Sequence, residues 1–150
     1  MKDLGIFFGA LLVAGLVWAA AADKPYPVFT PSNFVSTMQL LGPNFAAVNA
    51  ELASGDFASA KAHLVRSREL MAISITFWRD RKKEDAIKIL RDTLKKFDDL
   101  DNALSIDQID PSAVTAIAKQ IGAGCQSCHV LYREQDPATK SYRFRKGLDQ

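Results

Sequence analysis

The chain has 150 residues, is 48% hydrophobic and 24% charged, and carries a formal net charge of +2. That length suits one domain, and that balance excludes a disordered charged chain, a collagen-like repeat and a polytopic membrane protein. No long Lys/Arg block gives a nucleic-acid footprint, and the two cysteines, Cys125 and Cys128, are too few for a disulfide framework.

Leu4 to Ala22 carries no charge and no proline and ends in Ala19-Ala20-Ala21-Ala22. An apolar run closed by small residues predicts a secretory signal peptide over residues 1–22, cleaved near Ala21 or Ala22. The competing expectation is an uncleaved anchor, since residues 4–22 as a helix would span about 28 Å, nearly a bilayer core. Either way the rest of the chain is expected outside the cytoplasm, in the periplasm, free or held at the membrane. Residues 23–31 contain Pro25, Pro27 and Pro31 and predict an extended linker.

Four helical stretches follow in residues 32–136. In the first, Ser32 to Leu52, Phe34, Met38, Leu41, Phe45 and Val48 recur at three- and four-residue steps. Gly42-Pro43 interrupts the stripe, where a kink is expected. Ser54-Gly55-Asp56 supplies a stop and a new N-cap. The second stretch, Asp56 to Trp78, has Phe57, Ala60, Leu64, Met71, Ile75 and Trp78 as its inner face. Ile73 to Phe77 carries a weak strand signal that the longer periodicity outweighs. The third, Lys82 to Leu104, is striped by Ala86, Leu90, Leu94, Phe97, Leu100 and Leu104. Its outer face predicts Glu84–Lys88 and Asp92–Lys96 pairs. The fourth opens on Asp110-Pro111, an N-cap followed by Pro at the first helical position. It is expected to run to Gln135, where Asp136-Pro137 stops it. Its stripe is Val114, Ile117, Ala118, Ile121, Cys125, Cys128, His129 and Tyr132. Such helices with short connections predict an all-α, antiparallel four-helix bundle. Residues 137–150 form a tail whose Tyr142 to Lys146 segment is either solvated or docks an acidic redox partner.

The chemistry concentrates at Cys125-Gln126-Ser127-Cys128-His129. Residues i, i+3 and i+4 share a helix face, so both sulfurs and the imidazole fall on one side. Two thiols at this spacing can add to the two vinyl groups of one haem, with the following His placed to reach the iron, which is the c-type attachment pattern. A thioredoxin-like redox pair would sit at a helix start after a strand, whereas this pair lies deep in a helix. A zinc site needs four ligands, and His63 is the remaining His. His63 lies beside the second helix's apolar stripe and is a weak candidate for a distal ligand. Met71 reads as core, and Trp78 and Phe97 read as core or haem-packing aromatics.

The run Ile121 to Arg133, with Cys125-x-x-Cys128-His129-x-x-Tyr132-Arg133, resembles the C-terminal helix of class II c-type cytochromes, cytochrome c prime and its low-spin relatives. The resemblance covers about residues 32–135 and implies one covalent haem c inside the bundle. It implies thioethers at Cys125 and Cys128, His129 as proximal iron ligand, and Arg133 beside the proximal haem face with Tyr132 in the same motif. Met38, in Met38-Gln39-Leu40 followed by Phe45, matches the first-helix position over the distal side of the iron. Phe34 stands where family members often carry a basic residue.

Three functions follow as expectations. The first is electron transfer with His129/Met38 ligation, since Met/His ligation raises the potential. The second is a five-coordinate NO- or CO-binding protein with Phe34, Leu41 and Phe45 lining the distal side. The third is a cytochrome anchored through residues 4–22 to a respiratory or photosynthetic complex, where tethering raises effective concentration. No catalytic carboxylate pair, nucleophile or phosphate loop stands out, so a non-enzymatic carrier is expected. Its partner would be a redox protein or membrane complex, with homodimerisation as a family possibility.

Overall fold

A computed structural model describes residues 30–147. The run of residues 1–22 and most of the Pro-rich stretch lie outside the described residues. Among the described residues no helix is long and apolar enough to cross a membrane.

Four helices account for most of the described chain: α1 (Pro31–Ser54), α2 (Phe57–Asp80), α3 (Glu84–Ala103) and α4 (Pro111–Tyr132). A short hairpin follows, β1 (Arg133–Gln135) paired antiparallel with β2 (Tyr142–Phe144). The helices pack α1 on α2, α2 on α3, α3 on α4 and α4 back on α1, a closed ring of neighbours compatible with a helical bundle.

The helix ends follow from local chemistry. Pro31, expected as the last linker residue, is instead the first residue of α1, capped by Thr30, whose hydroxyl accepts from the Asn33 amide at 3.2 Å. Gly55 takes a left-handed conformation at φ 78°, a cheap stop for a residue without Cβ. Asp56 then caps α2 through the Ser59 amide at 3.1 Å. Asp110 accepts from the amides of Ser112 and Ala113 and starts α4. Each such cap contributes about 1 kcal/mol to its helix.

Gly42-Pro43 does not end α1, which runs continuously through Pro43. Pro43 deprives the Gln39 carbonyl of a donor on a face of α1 where Gln39, Gly42 and Pro43 are all exposed. The Asn44 side-chain amide donates to the neighbouring Leu40 carbonyl at 2.8 Å. The β-branched run Ile73–Phe77 is helical, as the longer period predicts.

The apolar stripes face the core. Val48, Leu64, Phe77, Trp78, Phe97, Leu100, Val114 and Ile121 are almost fully buried. The surface pairs of α3 differ from expectation. Lys88 bonds Asp92 at 2.6 Å and Lys96 bonds Asp99 at 2.9 Å. Lys88 therefore turns toward the C-terminal carboxylate rather than Glu84, and Asp92 is no longer free for Lys96. Lys88–Asp92 is largely exposed and Lys96–Asp99 partly so, and both remain open to solvent screening, so each contributes only about 0–1 kcal/mol.

The tail departs most from expectation. α4 stops at Tyr132 rather than Gln135, because Arg133 becomes extended and enters the β1–β2 ladder. The Asp136 carboxylate accepts from the Ala138 and Thr139 amides, both at 2.9 Å, and closes the turn. Asp136-Pro137 therefore builds a hairpin turn rather than a helix stop. Phe144 returns to the bundle, with ring centroids 4.3–6.2 Å apart throughout a cluster formed with Phe34, Phe77 and Trp78. The segment is thus packed at Phe144 and exposed at Tyr142, Arg143, Arg145 and Lys146.

Candidate functional site

A cavity of about 510 Å³ lies between α1, the ends of α3 and α4 nearest the hairpin, and the hairpin itself. Its size falls within the ~300–1,000 Å³ of small-molecule and cofactor sites. From α1 it is lined by Phe34, Met38, Leu41, Gly42 and Phe45. α2 contributes Met71 and Trp78, and α3 contributes Leu90 and Thr93. Gly124, Cys125, Cys128, His129 and Tyr132 line it from α4, and Arg133, Tyr142, Arg143 and Phe144 from the hairpin. All seven sequence-derived site residues, Met38, Phe45, Cys125, Cys128, His129, Tyr132 and Arg133, therefore meet around one space. His63 does not line it. Its Nδ1 lies 2.9–3.0 Å from the Glu51 carboxylate, which holds the ring toward α1.

The α4 side chains share a face because Cys125, Cys128, His129 and Tyr132 follow helical steps of three and four. The helix can approach α3 closely there because position 124 has no side chain. A Cβ on Gly124 would collide with Thr93 Oγ1 and lie 3.2 Å from both Thr93 Cβ and Cγ2. Thr93 cannot easily yield, being buried with its hydroxyl donating to the Ile89 carbonyl at 2.7 Å. This contact fixes the depth of Cys125.

Electrostatics keep the face neutral. The cysteines are free thiols and half-buried. Burial raises the Cys125 pKa, and burial together with Cys125 and Asp85 pushes Cys128 up to about 11. A redox dithiol needs the opposite shift, toward the thiolate. Burial first, and Arg133 second, lower the His129 pKa, so the imidazole is neutral at pH 7 and competent as a ligand. Tyr132 is buried against Trp78 at 4.4 Å between ring centroids, and its pKa rises through burial and a hydrogen bond to Asp85. That same bond lowers the Asp85 pKa. The Arg133 guanidinium stacks on Tyr142, 4.0 Å from the ring centroid.

The wall also includes Met71, Trp78 and Gly124. Met71 is buried, as a core residue should be, but it also brings a second thioether to the cavity. Trp78 lines the wall while its indole N–H is buried without an acceptor among the described residues. Gly124 carries a legible signal, since Gly122-Ala123-Gly124 before the cysteines is a run of small residues on a helix. Among the described residues no group of three or more His, Cys, Asp or Glu side chains is arranged to hold a metal ion. No protein-family model, curated protein or solved structure matches the chain.

Proposed function

We propose that the protein is a c-type cytochrome that carries electrons outside the cytoplasm and is not an enzyme. It would hold one haem c through thioethers at Cys125 and Cys128, with His129 and Met38 as the residues that would bind its iron. The observation that supports this reading is the convergence on one cavity of two free thiols, a neutral imidazole and a thioether from another helix.

The donor chemistry fits such a group. The cavity wall is mostly aliphatic and aromatic, which suits a macrocycle. Arg133 and the unpartnered Trp78 indole N–H are donors suited to carboxylates. When bound, haem supplies one-electron chemistry at its iron. The chain's own residues bind, orient and shield. Cys125 and Cys128 anchor at a fixed spacing, and the rigid helix limits where the His129 ring can reach. Met38, Met71, Phe34 and Phe45 exclude water and lower the local dielectric, which governs redox potential. A thioether is a soft, neutral ligand, and together with an imidazole it would favour the reduced state of a bound haem iron.

A gas-binding protein is the second reading. It is favoured by the apolar α1 wall of Phe34, Leu41 and Phe45, which has room beside Gly42, where nothing lies within 4 Å of an added Cβ. Reduced-minus-oxidised spectra of the purified protein, with and without CO, separate the two. Electron transfer with Met38 bound predicts a low-spin ferrous spectrum that CO changes little. A high-spin ferrous spectrum with immediate CO binding would overturn it in favour of the second reading.

A further inference from the structure

We infer that the end of α4 and the β1–β2 hairpin form a docking surface for a small acidic electron-transfer protein. This rests on reading the adjacent cavity as a haem site, because the surface is continuous with its wall through Arg133, Tyr142 and Arg143.

Three apolar side chains stand out from the solvent here: Val130 at 57% exposure, Leu131 at 48% and Tyr142 at 59%. Four cations share this segment. Arg133 lies over the Tyr142 ring, and Arg145 Nη2 donates to the Val130 carbonyl at 2.9 Å. Lys140 and Lys146 flank β2. Among the described residues Arg145, Lys140 and Lys146 have no carboxylate partner, while Arg133 borders the cavity, where it suits the haem carboxylates. The two anions of the hairpin, Glu134 and Asp136, are both taken by Arg143, at 2.9 and 3.0 Å. The fold thus neutralises its local acids internally and leaves an excess of positive charge facing out.

Exposed apolar and aromatic side chains interspersed with unpaired cations have the chemistry of a protein interface that steers an acidic partner. Its place at the cavity edge is what one-electron exchange needs, since the partner's redox group would come to rest against the wall that carries His129 and Tyr132. A bilayer fits less well. Interfacial helices present a long apolar face beside their basic one, whereas this patch covers one helix end and a two-stranded turn.

The experiment titrates fluorescently labelled flavodoxin, an acidic one-electron protein, with the purified full chain and reads anisotropy. Saturable binding is expected that weakens about tenfold or more between about 0.02 and about 0.2 M salt. K140E/K146E, which touches no side-chain bond of the hairpin, should weaken binding about tenfold, and R145E/K146E should do the same. K95E/K119E carries the same charge change on α3 and α4 away from the hairpin and should stay within about twofold of wild type. Equal losses in all three variants would reduce the effect to net charge and overturn the proposal. Binding insensitive to salt and to the hairpin variants would also overturn it. So would hairpin-dependent binding to phosphatidylglycerol vesicles with none to flavodoxin, which would make the patch a lipid surface. The anisotropy signal needs no haem. Binding by a protein that proves to hold no haem refutes the function and leaves the surface standing, and a haem protein that does not bind does the reverse.

Discussion

Replacing Gly124 with alanine places a methyl group where Thr93 already stands. The new Cβ would overlap Thr93 Oγ1 and lie 3.2 Å from two of its carbons, so α4 must move away from α3 or Thr93 must leave its rotamer. Thr93 is buried and bonded to the Ile89 carbonyl, so overpacking of this kind costs about 1–3 kcal/mol. Alanine also gains about 0.8–1.0 kcal/mol of helix propensity over glycine, which hides part of the loss. Gly122 supplies the reference, because it lies two residues away in the same helix and nothing stands within 4 Å of a Cβ there. G122A should therefore gain stability, and the gap between G122A and G124A isolates the clash at roughly 2 kcal/mol. Chemical denaturation followed by circular dichroism measures both. The double variant T93A/G124A should recover about 1–2 kcal/mol relative to the sum of its single changes, a coupling that only direct contact gives. If G124A were as stable as G122A, the close α3–α4 approach that sets the depth of Cys125 would be refuted.

Other variants probe the cavity wall from each side. M38A should convert the ferrous and ferric spectra from low to high spin and admit CO; unchanged spectra would assign the sixth position elsewhere, Met71 being the other thioether on the wall. F144A removes the half-buried ring that ties the hairpin to Phe34, Phe77 and Trp78, at a cost of about 2–3 kcal/mol. Hydrogen exchange should then quicken at the Asp136 and Arg145 amides, which bond the Ser141 and Tyr132 carbonyls, while α2 amides hold; a uniform loss would contradict the anchoring role. Y132F deletes the donor that lowers the Asp85 pKa. A carboxylate with a depressed folded pKa stabilises above its unfolded value of about 3.9 and loses that stabilisation as pH falls through the folded value. The stability advantage of wild type over Y132F should accordingly be full at pH 6 and shrink below pH 4, as urea titrations at each pH would read. An advantage that grew as the pH fell would refute the Tyr132–Asp85 bond.

The helices were legible because burial on one face imposes a period that side chains must obey. Val48, Leu64, Phe97 and Val114 announce their positions before any packing is known. Gly55, Asp56 and Asp110-Pro111 mark ends because their local chemistry acts without tertiary help. The hairpin was not legible for the opposite reason. Strands of three residues are too short for an alternation signal, and Phe144 gains its role only from an aromatic cluster contributed by α1 and α2. Pro43 removes one rung of the ladder without ending α1, and Gln39, Gly42 and Pro43 are exposed there. At the site, the Cys-x-x-Cys-His spacing drew attention to α4, but Met71 and Trp78 sit on the same apolar face of α2 as ordinary core residues. Nothing in a stripe says which of its members border a cavity.

The proposed function stands or falls on covalent haem at Cys125 and Cys128. It is tested most directly by expressing the full chain with a c-type haem-attachment system and extracting the purified protein with acidified acetone. Colour that stays with the polypeptide, with an intact mass raised by one haem and no such increase in C125A/C128A, is the predicted result. Haem that washes entirely into the acetone, or a chain that emerges colourless with two free thiols, would contradict the account.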